Sequence, residues 1–597
     1  MPHRILIVDD QPIHVTYWKR ALQAAGIDVV EATSTNEARE IYSASTFDLI
    51  LLDRIMPPGL FSDLEHNDQT DTGVFIYEDI RSYNKTVPVL LFTMLRDEKV
   101  ESIRDKDPLF FITDKISSAP DVLAQKVRLI IEEGHDLLEV SQLHSRARQT
   151  EVDKRLKQVI GCMRPDKWAG LYILGSFDRR ITFYSQQTRA LNLAHALSAV
   201  GGLTGSERVA IVGGGIAGMT AGVAFAKLGC NVTIFDASEA LLHFQASANH
   251  RYLHPHIYDW PTPGSLDANA RLPVLNWSAN MADSVAGDLH KKFVRYVLKY
   301  PNLVHSPRSK ITNIVQLGGN DGIQLLGNLG DIDDRFAIVI VCVGFGLDCH
   351  GVGASSYWTP DPLDGPFPRD PYRILVSGSG DGGLVDLARA KLRATPGGSA
   401  FRHDLAVQWL TQDPAFQSIG REMLAIDVQI RTQMRLGHNA ANLYTEYRKL
   451  NIPREILEAV TDLRRPETKV AFHYRSATIL KPDTSLINRL LALLLIRSEL
   501  VDRRQGELEL VGLQTAKTEF RSVKFVGPTN LTEEFDLVIR RHGPDPDHFA
   551  ASFPDLSLAA SVLSGRIVEL EITDTLDPAT AEWWSTMIDN DIEDPRS

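Results

Sequence analysis

The chain has 597 residues, of which 44% are hydrophobic and 23% charged, and its formal net charge is −13. That length exceeds what one hydrophobic core serves and predicts three or more domains of an ordinary soluble globular protein. Acids in excess and no lysine- or arginine-rich stripe argue against nucleic acid as the principal partner.

Four cysteines, Cys162, Cys230, Cys342 and Cys349, form no C-x-x-C pair. They therefore suggest neither a zinc site nor a disulfide framework, and a reducing cytoplasm suits them. No apolar run approaches the roughly 20 residues of a membrane helix, so no membrane association is expected.

Residues 1–133 alternate strand and helix signals, with apolar runs at 4–8, 28–32, 48–52, 87–92 and 109–113. Continuous rather than alternating apolar strands imply a sheet covered on both faces, hence parallel and doubly wound. In such a sheet the functional crevice lies at the carboxyl edge. Asp9 and Asp10, Asp53, Thr93 and Lys115 all fall at strand ends. Three carboxylates there make a hard-oxygen site for Mg²⁺.

On these residues the segment resembles the receiver domain of response regulators, which implies a flavodoxin-like fold. The resemblance implies that Asp53 accepts a phosphoryl group, that Asp9 and Asp10 help hold Mg²⁺, that Thr93 is the switch hydroxyl and that Lys115 neutralises the phosphoryl charge. It also implies a sensor histidine kinase or phosphotransfer protein as partner. Met56-Pro57 fits the same family pattern. Three positions depart from it: Met94 where a small residue is usual, Ile116 after the lysine, and Ile112 at the switch aromatic. An insertion over residues 58–72 brings Asp63, Glu65, Asp68 and Asp71, read as a solvated acidic loop. A receiver that only docks a partner is the alternative to one that is phosphorylated.

Residues 134–205 are read as a linker helix and packing segment. Its polar, loosely periodic stretch from Asp136 to about Ile160 suits a connecting helix with room for a homodimer contact. Gln186, Gln187 and Arg189 follow, and no mechanism attaches to them.

Residues 206–372 open with strand, glycine turn, helix and strand. The turn is Gly213, Gly215 and Gly218, and Asp236 comes 23 residues after Gly213. The first glycine allows a tight turn, the second lets backbone approach a pyrophosphate, and the third lets helix pack on strand. The helix amino terminus faces the phosphates, and the acid suits a ribose hydroxyl.

This stretch looks like the FAD-binding half of two-dinucleotide-fold flavoproteins, with a nicotinamide cofactor as the rival ligand. The resemblance extends to residues 337–346, a later strand whose small-residue turn at Gly344 would lie near the flavin. It implies a Rossmann-type FAD/NAD(P)-binding body with a helical insertion.

A second turn, Gly378, Gly380 and Gly383, opens residues 373–530. The resemblance places NAD(P)H there. No prompt strand ending in an acid or arginine follows, however, because a helical stretch over 405–463 intervenes. A purely structural turn capped by Asp381 is the competing reading.

For chemistry, residues 250–261 hold His250, Arg251, His254, His256 and Asp259 among aromatics. Arg251, His254 and His256 are expected beside a flavin ring or a small-molecule substrate, where histidine suits proton transfer. A metal site and an inert loop are the other readings. Residues 531–597 supply a return strand ending in Arg540-Arg541-His542-Gly543, and Trp583 and Trp584 as packing anchors.

Together these expectations describe an FAD-dependent oxidoreductase regulated by aspartyl phosphorylation of its receiver. A non-catalytic flavin- or NAD(P)-binding signalling module, whose receiver docks a partner, is the alternative.

Overall fold

In the computed structural model the chain divides into two compact units, Met1–Val152 and Asp153–Ser597. The structure describes all residues except 1–2, 58, 60–70, 94–97, 115–119, 134–151, 175–180, 263, 319–321, 329, 345–355, 395–412, 436–441, 476–478, 512–520, 528–529, 544–548, 550, 558, 561, 564–575 and 594–597.

The first unit has strands β1 (Arg4–Val8), β2 (Asp28–Ala32), β3 (Leu49–Asp53), β4 (Val89–Thr93) and β5 (Phe110–Asp114). They form one sheet in the order β2-β1-β3-β4-β5, and every pairing is parallel. Successive side chains of a strand point to opposite faces. Leu6 and Val8 accordingly join one core with Leu52 and Leu91, while Ile5 and Ile7 join another with Leu51 and Leu90. Two buried faces explain the unbroken apolar runs. Helices α1 (Pro12–Ala24), α2 (Thr35–Ala44), α3 (Thr72–Tyr83), α4 (Glu98–Lys106) and α5 (Pro120–Glu133) connect the strands.

The second unit repeats one plan twice. Its first half has β6 (Leu171–Ile173), α6 (Phe183–Ala199), β7 (Arg208–Val212), α7 (Ile216–Lys227) and β8 (Asn231–Phe235). After a short antiparallel pair, β9 (Tyr252–Leu253) with β10 (Asn280–Met281), come α8 (Ala282–Lys299) and β11 (Leu303–Ser306). A meander of β12 (Ile311–Gln316), β13 (Ile323–Gly327) and β14 (Gly330–Phe336) then leads to β15 (Ile338–Val341). The sheet order is β11-β8-β7-β15-β6, all parallel.

The second half has β16 (Tyr372–Ser377), α9 (Asp381–Lys391), α10 (Pro414–Arg435), α11 (Leu443–Tyr447), α12 (Arg454–Asp462), β17 (Thr468–Tyr474), α13 (Leu486–Arg497) and β18 (Val501–Gln505). A second meander follows, β19 (Glu507–Val511), β20 (Arg521–Val526) and β21 (Leu531–Phe535), and then β22 (Leu537–Arg540). The order β18-β17-β16-β22 reproduces β11-β8-β7-β15 of the first half, again all parallel. Each meander packs on one face of its own sheet. Ile314, Leu325 and Phe336 lie against Val212 and Val341, and Val523, Phe525 and Phe535 lie against Leu375 and Val538.

The chain's last helices, α14 (Pro578–Ser585) and α15 (Asn590–Glu593), close on the first half. Trp584 is fully buried, and its indole donates to the Leu191 carbonyl of α6 at 3.3 Å. Thus Trp584 is a packing anchor. Gln187, also on α6, donates to the Leu275 carbonyl and accepts from the Trp277 indole, so this buried amide ties α6 to the 270s segment.

Candidate functional sites

At the carboxyl edge of the first sheet, Asp9, Asp10 and Asp53 each place a carboxylate oxygen within 4.8 Å of the others. The sheet order brings β1 and β3 together, which is why acids 43 or more residues apart in sequence meet. Asp9 and Asp53 are buried, and Gln11 N donates to Asp9 Oδ1 at 2.9 Å. Clustered carboxylates of this kind fit a divalent cation, whose charge offsets their repulsion. Thr93 ends β4 beside Asp114 of β5. Lys115, Met94, Ile116 and the loop acids Asp63, Glu65 and Asp68 lie outside the described residues.

The loop acid that is described is not simply solvated. Asp71 receives the buried Arg54 guanidinium at 2.7 Å and the Lys99 ammonium at 3.0 Å. Burial raises its carboxyl, but Arg54 and Lys99 outweigh that and hold it below the usual range. Asp71 therefore joins the end of β3 to the starts of α3 and α4. Sequence spacing carries no signal for this contact.

In the first half of the second unit, Gly213 has φ +110° and Gly344 φ +67°, backbone that favours glycine. A Cβ on Gly213 would lie 2.6 Å from the Cys342 carbonyl, and one on Gly218 would lie 1.9 Å from the Gly213 carbonyl. One on Gly215 would meet nothing within 4 Å. The three glycines thus divide their work: two permit close packing and the third borders open space. Gly215 caps α7 without any side-chain bond, leaving helical N–H groups for an anion.

Asp236 sits at the end of β8, its carboxylate accepting from the Gly214 and Ser238 amides. A carboxylate has about four acceptor sites, so capacity for a ribose hydroxyl remains. The open cradle and this acceptor fit an adenine dinucleotide.

The second turn copies these relations. Gly378 has φ +134°, its Cβ would meet the Arg541 carbonyl at 1.9 Å, and that of Gly383 would meet the Gly378 carbonyl at 2.0 Å. Gly380 again faces open space. Asp381 does more than cap its own helix. It accepts from Ser485 N at 2.9 Å, from Asn488 Nδ2 and from the Tyr258 hydroxyl, joining α9 to α13.

Residues 250–261 divide between two fates. The Arg251 side chain is fully buried and does not border open space. It pairs with Asp386 and Asp361, donates to the Tyr357 carbonyl at 2.7 Å and stacks on the Tyr357 ring at 3.9 Å. Arg389 and Arg541 converge on the same Asp386. Burial pushes the Asp386 carboxyl up, but Arg251, Arg541 and Arg389 together hold it well below the carboxylate range.

By contrast, His256 and Asp259 line an open cavity of about 400 Å³ with Asp267 and Arg271. His256 Nδ1 lies 3.5 Å from Asp259, and its amide donates to His254 Nδ1 at 3.1 Å.

Sequence reasoning did not single out a buried hydroxyl between two imidazoles. Ser377 Oγ lies 2.8 Å from His473 Nδ1 and 2.6 Å from His542 Nε2, joining the ends of β16, β17 and β22. Nothing in the order of these residues, 96 and 165 positions apart, signals the contact.

Comparison with known proteins matches a family model to part of each unit. The model of the response regulator receiver domain matches residues 5–105, and that of the FAD dependent oxidoreductase family matches residues 208–300. A CheY-like receiver from Methanospirillum hungatei is 20% identical over 22% of this chain and 97% of its own, with a TM-score of 0.19. A two-component response regulator from Clostridium difficile is 20% identical over 22% and 99%, also with a TM-score of 0.19. A LuxR-family regulator from Aurantimonas is 25% identical over 22% and 87%, with the same TM-score of 0.19. No curated protein matches the chain. With a carboxylate triad in the first sheet and a glycine cradle in the second unit, this chain carries a response regulator receiver domain at residues 5–105 and an FAD dependent oxidoreductase domain at residues 208–300.

Proposed function

We propose that this protein is an FAD-dependent oxidoreductase whose activity is set by phosphorylation of Asp53. The observation that carries the reading is the open space before Gly215, bordered by an uncapped helix terminus and by Asp236. FAD bound there would supply the hydride and electron chemistry. The chain's own part is to hold the diphosphate on the α7 amides and one ribose on Asp236, with Gly344 at the neighbouring turn. His256, which lines the open cavity with Asp259, is the group assigned to hold or move a substrate proton, and His254 supports it by accepting from its amide.

At the receiver, an Asp53 oxygen forms a bond to phosphorus as the phosphorus–nitrogen bond of a partner's phosphohistidine breaks. Mg²⁺ on Asp9, Asp10 and Asp53 would neutralise the transferring oxygens. Thr93 and Lys115 are assigned to the phosphoryl group through the family resemblance. The commitment of Arg251 to Asp386 and Asp361 favours a second reading, a flavin-binding signalling module without turnover.

Purified protein is expected to show a flavin absorption spectrum, and Mg²⁺ with beryllofluoride is expected to change its rate of flavin reduction. Asp53→Asn should abolish that change while leaving the spectrum intact. A colourless protein that takes up no FAD defeats the flavoprotein reading; a coloured one whose reduction ignores beryllofluoride defeats the regulation.

A further inference from the structure

Between β9 and β10 the backbone turns three times. Thr262 N donates to the Asp259 carbonyl at 2.8 Å, Ser265 N to the Thr262 carbonyl at 3.1 Å and Asp267 N to the Gly264 carbonyl at 3.0 Å. These turns gather His256, Asp259, Thr262, Ser265, Asp267 and Arg271 around the open cavity of about 400 Å³. That volume suits a small molecule.

The cavity's charges are matched within it. Arg271 pairs with Asp267, whose other oxygen accepts from Asn269 N at 2.9 Å, and His256 Nδ1 lies 3.5 Å from Asp259. An anionic ligand would meet two carboxylates there, and a cationic one would meet a guanidinium. Each like-charge approach costs affinity. A neutral ligand meets neither penalty.

What stays open is hydrogen-bonding capacity of both kinds. His256 Nε2 lies 3.2 Å from the Asn269 carbonyl, which can only accept, so the proton of a neutral ring belongs on Nε2. The Nδ1 lone pair then faces the Asp259 carboxylate, two acceptors 3.5 Å apart. Two hydroxyl protons on adjacent carbons fit such a pair. Tyr184 packs edge-on against the imidazole at 4.9 Å and holds its plane. Thr262 spends its own proton on the Asp259 carbonyl at 2.5 Å and keeps its lone pairs. Arg271 meets Asp267 through Nε, so its Nη groups add donors. Ser265, which lines the same cavity, is only 4% exposed, and its hydroxyl has no hydrogen-bond partner among the described residues. Buried hydroxyls are otherwise satisfied, so this one is an independent sign of a ligand.

We propose that this cavity binds a neutral vicinal diol, as an open polyol or a sugar ring presents it. The two diol protons go to His256 Nδ1 and Asp259, and a diol oxygen accepts from Ser265. The assignment names the substrate class of the cavity given to His256 above and rests on that reading, but its test reads binding alone.

The test is titration of the full chain, followed by saturation-transfer NMR, with cis-1,2-cyclohexanediol, 1,4-cyclohexanediol, putrescine and succinate. The 1,2-diol should bind about tenfold or more tightly than the other three. D-mannitol and methyl α-D-mannopyranoside then separate an open polyol from a sugar ring. Asp259→Asn and Ser265→Ala should each weaken the 1,2-diol by about tenfold. Ser265→Ala should also keep or raise the urea midpoint, because it removes a hydroxyl that the protein leaves unsatisfied. Equal affinities for the two cyclohexanediols, tighter binding of putrescine or succinate, or a Ser265→Ala chain that binds like the native one overturns the proposal. A lowered urea midpoint in Ser265→Ala overturns it too, by showing the hydroxyl satisfied within the protein. A flavin-bearing chain that binds no diol overturns this assignment and leaves the flavoprotein reading standing. A flavin-free chain that prefers the 1,2-diol does the reverse.

Discussion

At the scale of single residues, two glycines of one turn make opposite predictions. Gly215 has φ −72° and open space where a Cβ would go. Gly215→Ala should therefore leave the unfolding free energy within about 0.5 kcal/mol. The methyl group enters the place of the diphosphate, so FAD affinity should fall by about tenfold or more. Gly218→Ala forces a Cβ against the Gly213 carbonyl, where 1.9 Å is available. Its cost should appear as about 1–3 kcal/mol of stability, as for other overpacked sites. Denaturant unfolding and flavin titration of both variants check the contrast, and equal behaviour of the pair contradicts it.

Asp386 makes a second residue-scale prediction. Its carboxylate is the shared partner of Arg251, Arg389 and Arg541. Asp386→Asn keeps the shape but leaves three guanidinium groups around a neutral amide, so stability at pH 7 should fall by about 3–5 kcal/mol. The folded carboxyl titrates below its unfolded value of about 4. Its contribution is thus complete above that pH and is lost as pH falls toward the folded value. The gap between native and variant chains should be constant from neutral pH down to about 4 and narrow below it. A gap that widens on acidification contradicts this account.

At the scale of elements, the closing helices hold the first half together through few contacts. Glu593 of α15 accepts from the Leu275 and Asn276 amides, from the Tyr296 hydroxyl and from Lys292, all within 2.9 Å. Trp584 of α14 fills space over α6, and His195 Nδ1 of α6 lies 2.9 Å from the Thr580 hydroxyl. Trp584→Ala should cost about 3–5 kcal/mol, as a large buried ring does. It should also raise hydrogen exchange in α6 and in the 270s segment while leaving the second half protected. Protection lost evenly over both halves would mean that the closing helices support the whole unit.

At the scale of the whole molecule, the chain divides into two compact units, Met1–Val152 and Asp153–Ser597. Among the described residues, two clusters lie within Ile5–Ile131, and three others lie within Leu171–Leu563. Heating should therefore give two calorimetric transitions. Mg²⁺ with beryllofluoride at about one hundred times its dissociation constant should stabilise the receiver transition by about 2.7 kcal/mol, and FAD should raise only the other. A single transition that both ligands move together contradicts independent folding.

The local features are legible in chain order. Unbroken apolar strands, the aspartates at strand ends and the spacing of Gly213, Gly215, Gly218 and Asp236 are written within short windows. Periodicity and turn chemistry act over such distances, so receiver sheet and glycine turn were both legible. Tertiary structure alone decided which distant segments became neighbours. It placed β17 beside β16 across a helical insertion, which made Tyr474 the register counterpart of Asp236. It also buried Arg251 against Asp386, 135 residues away, where sequence suggested a substrate contact. The physical reason is shared by all these cases: a sheet pairs strands by register and burial rather than by chain order. A charged side chain is then either enclosed with partners or left for a ligand, according to the space around it.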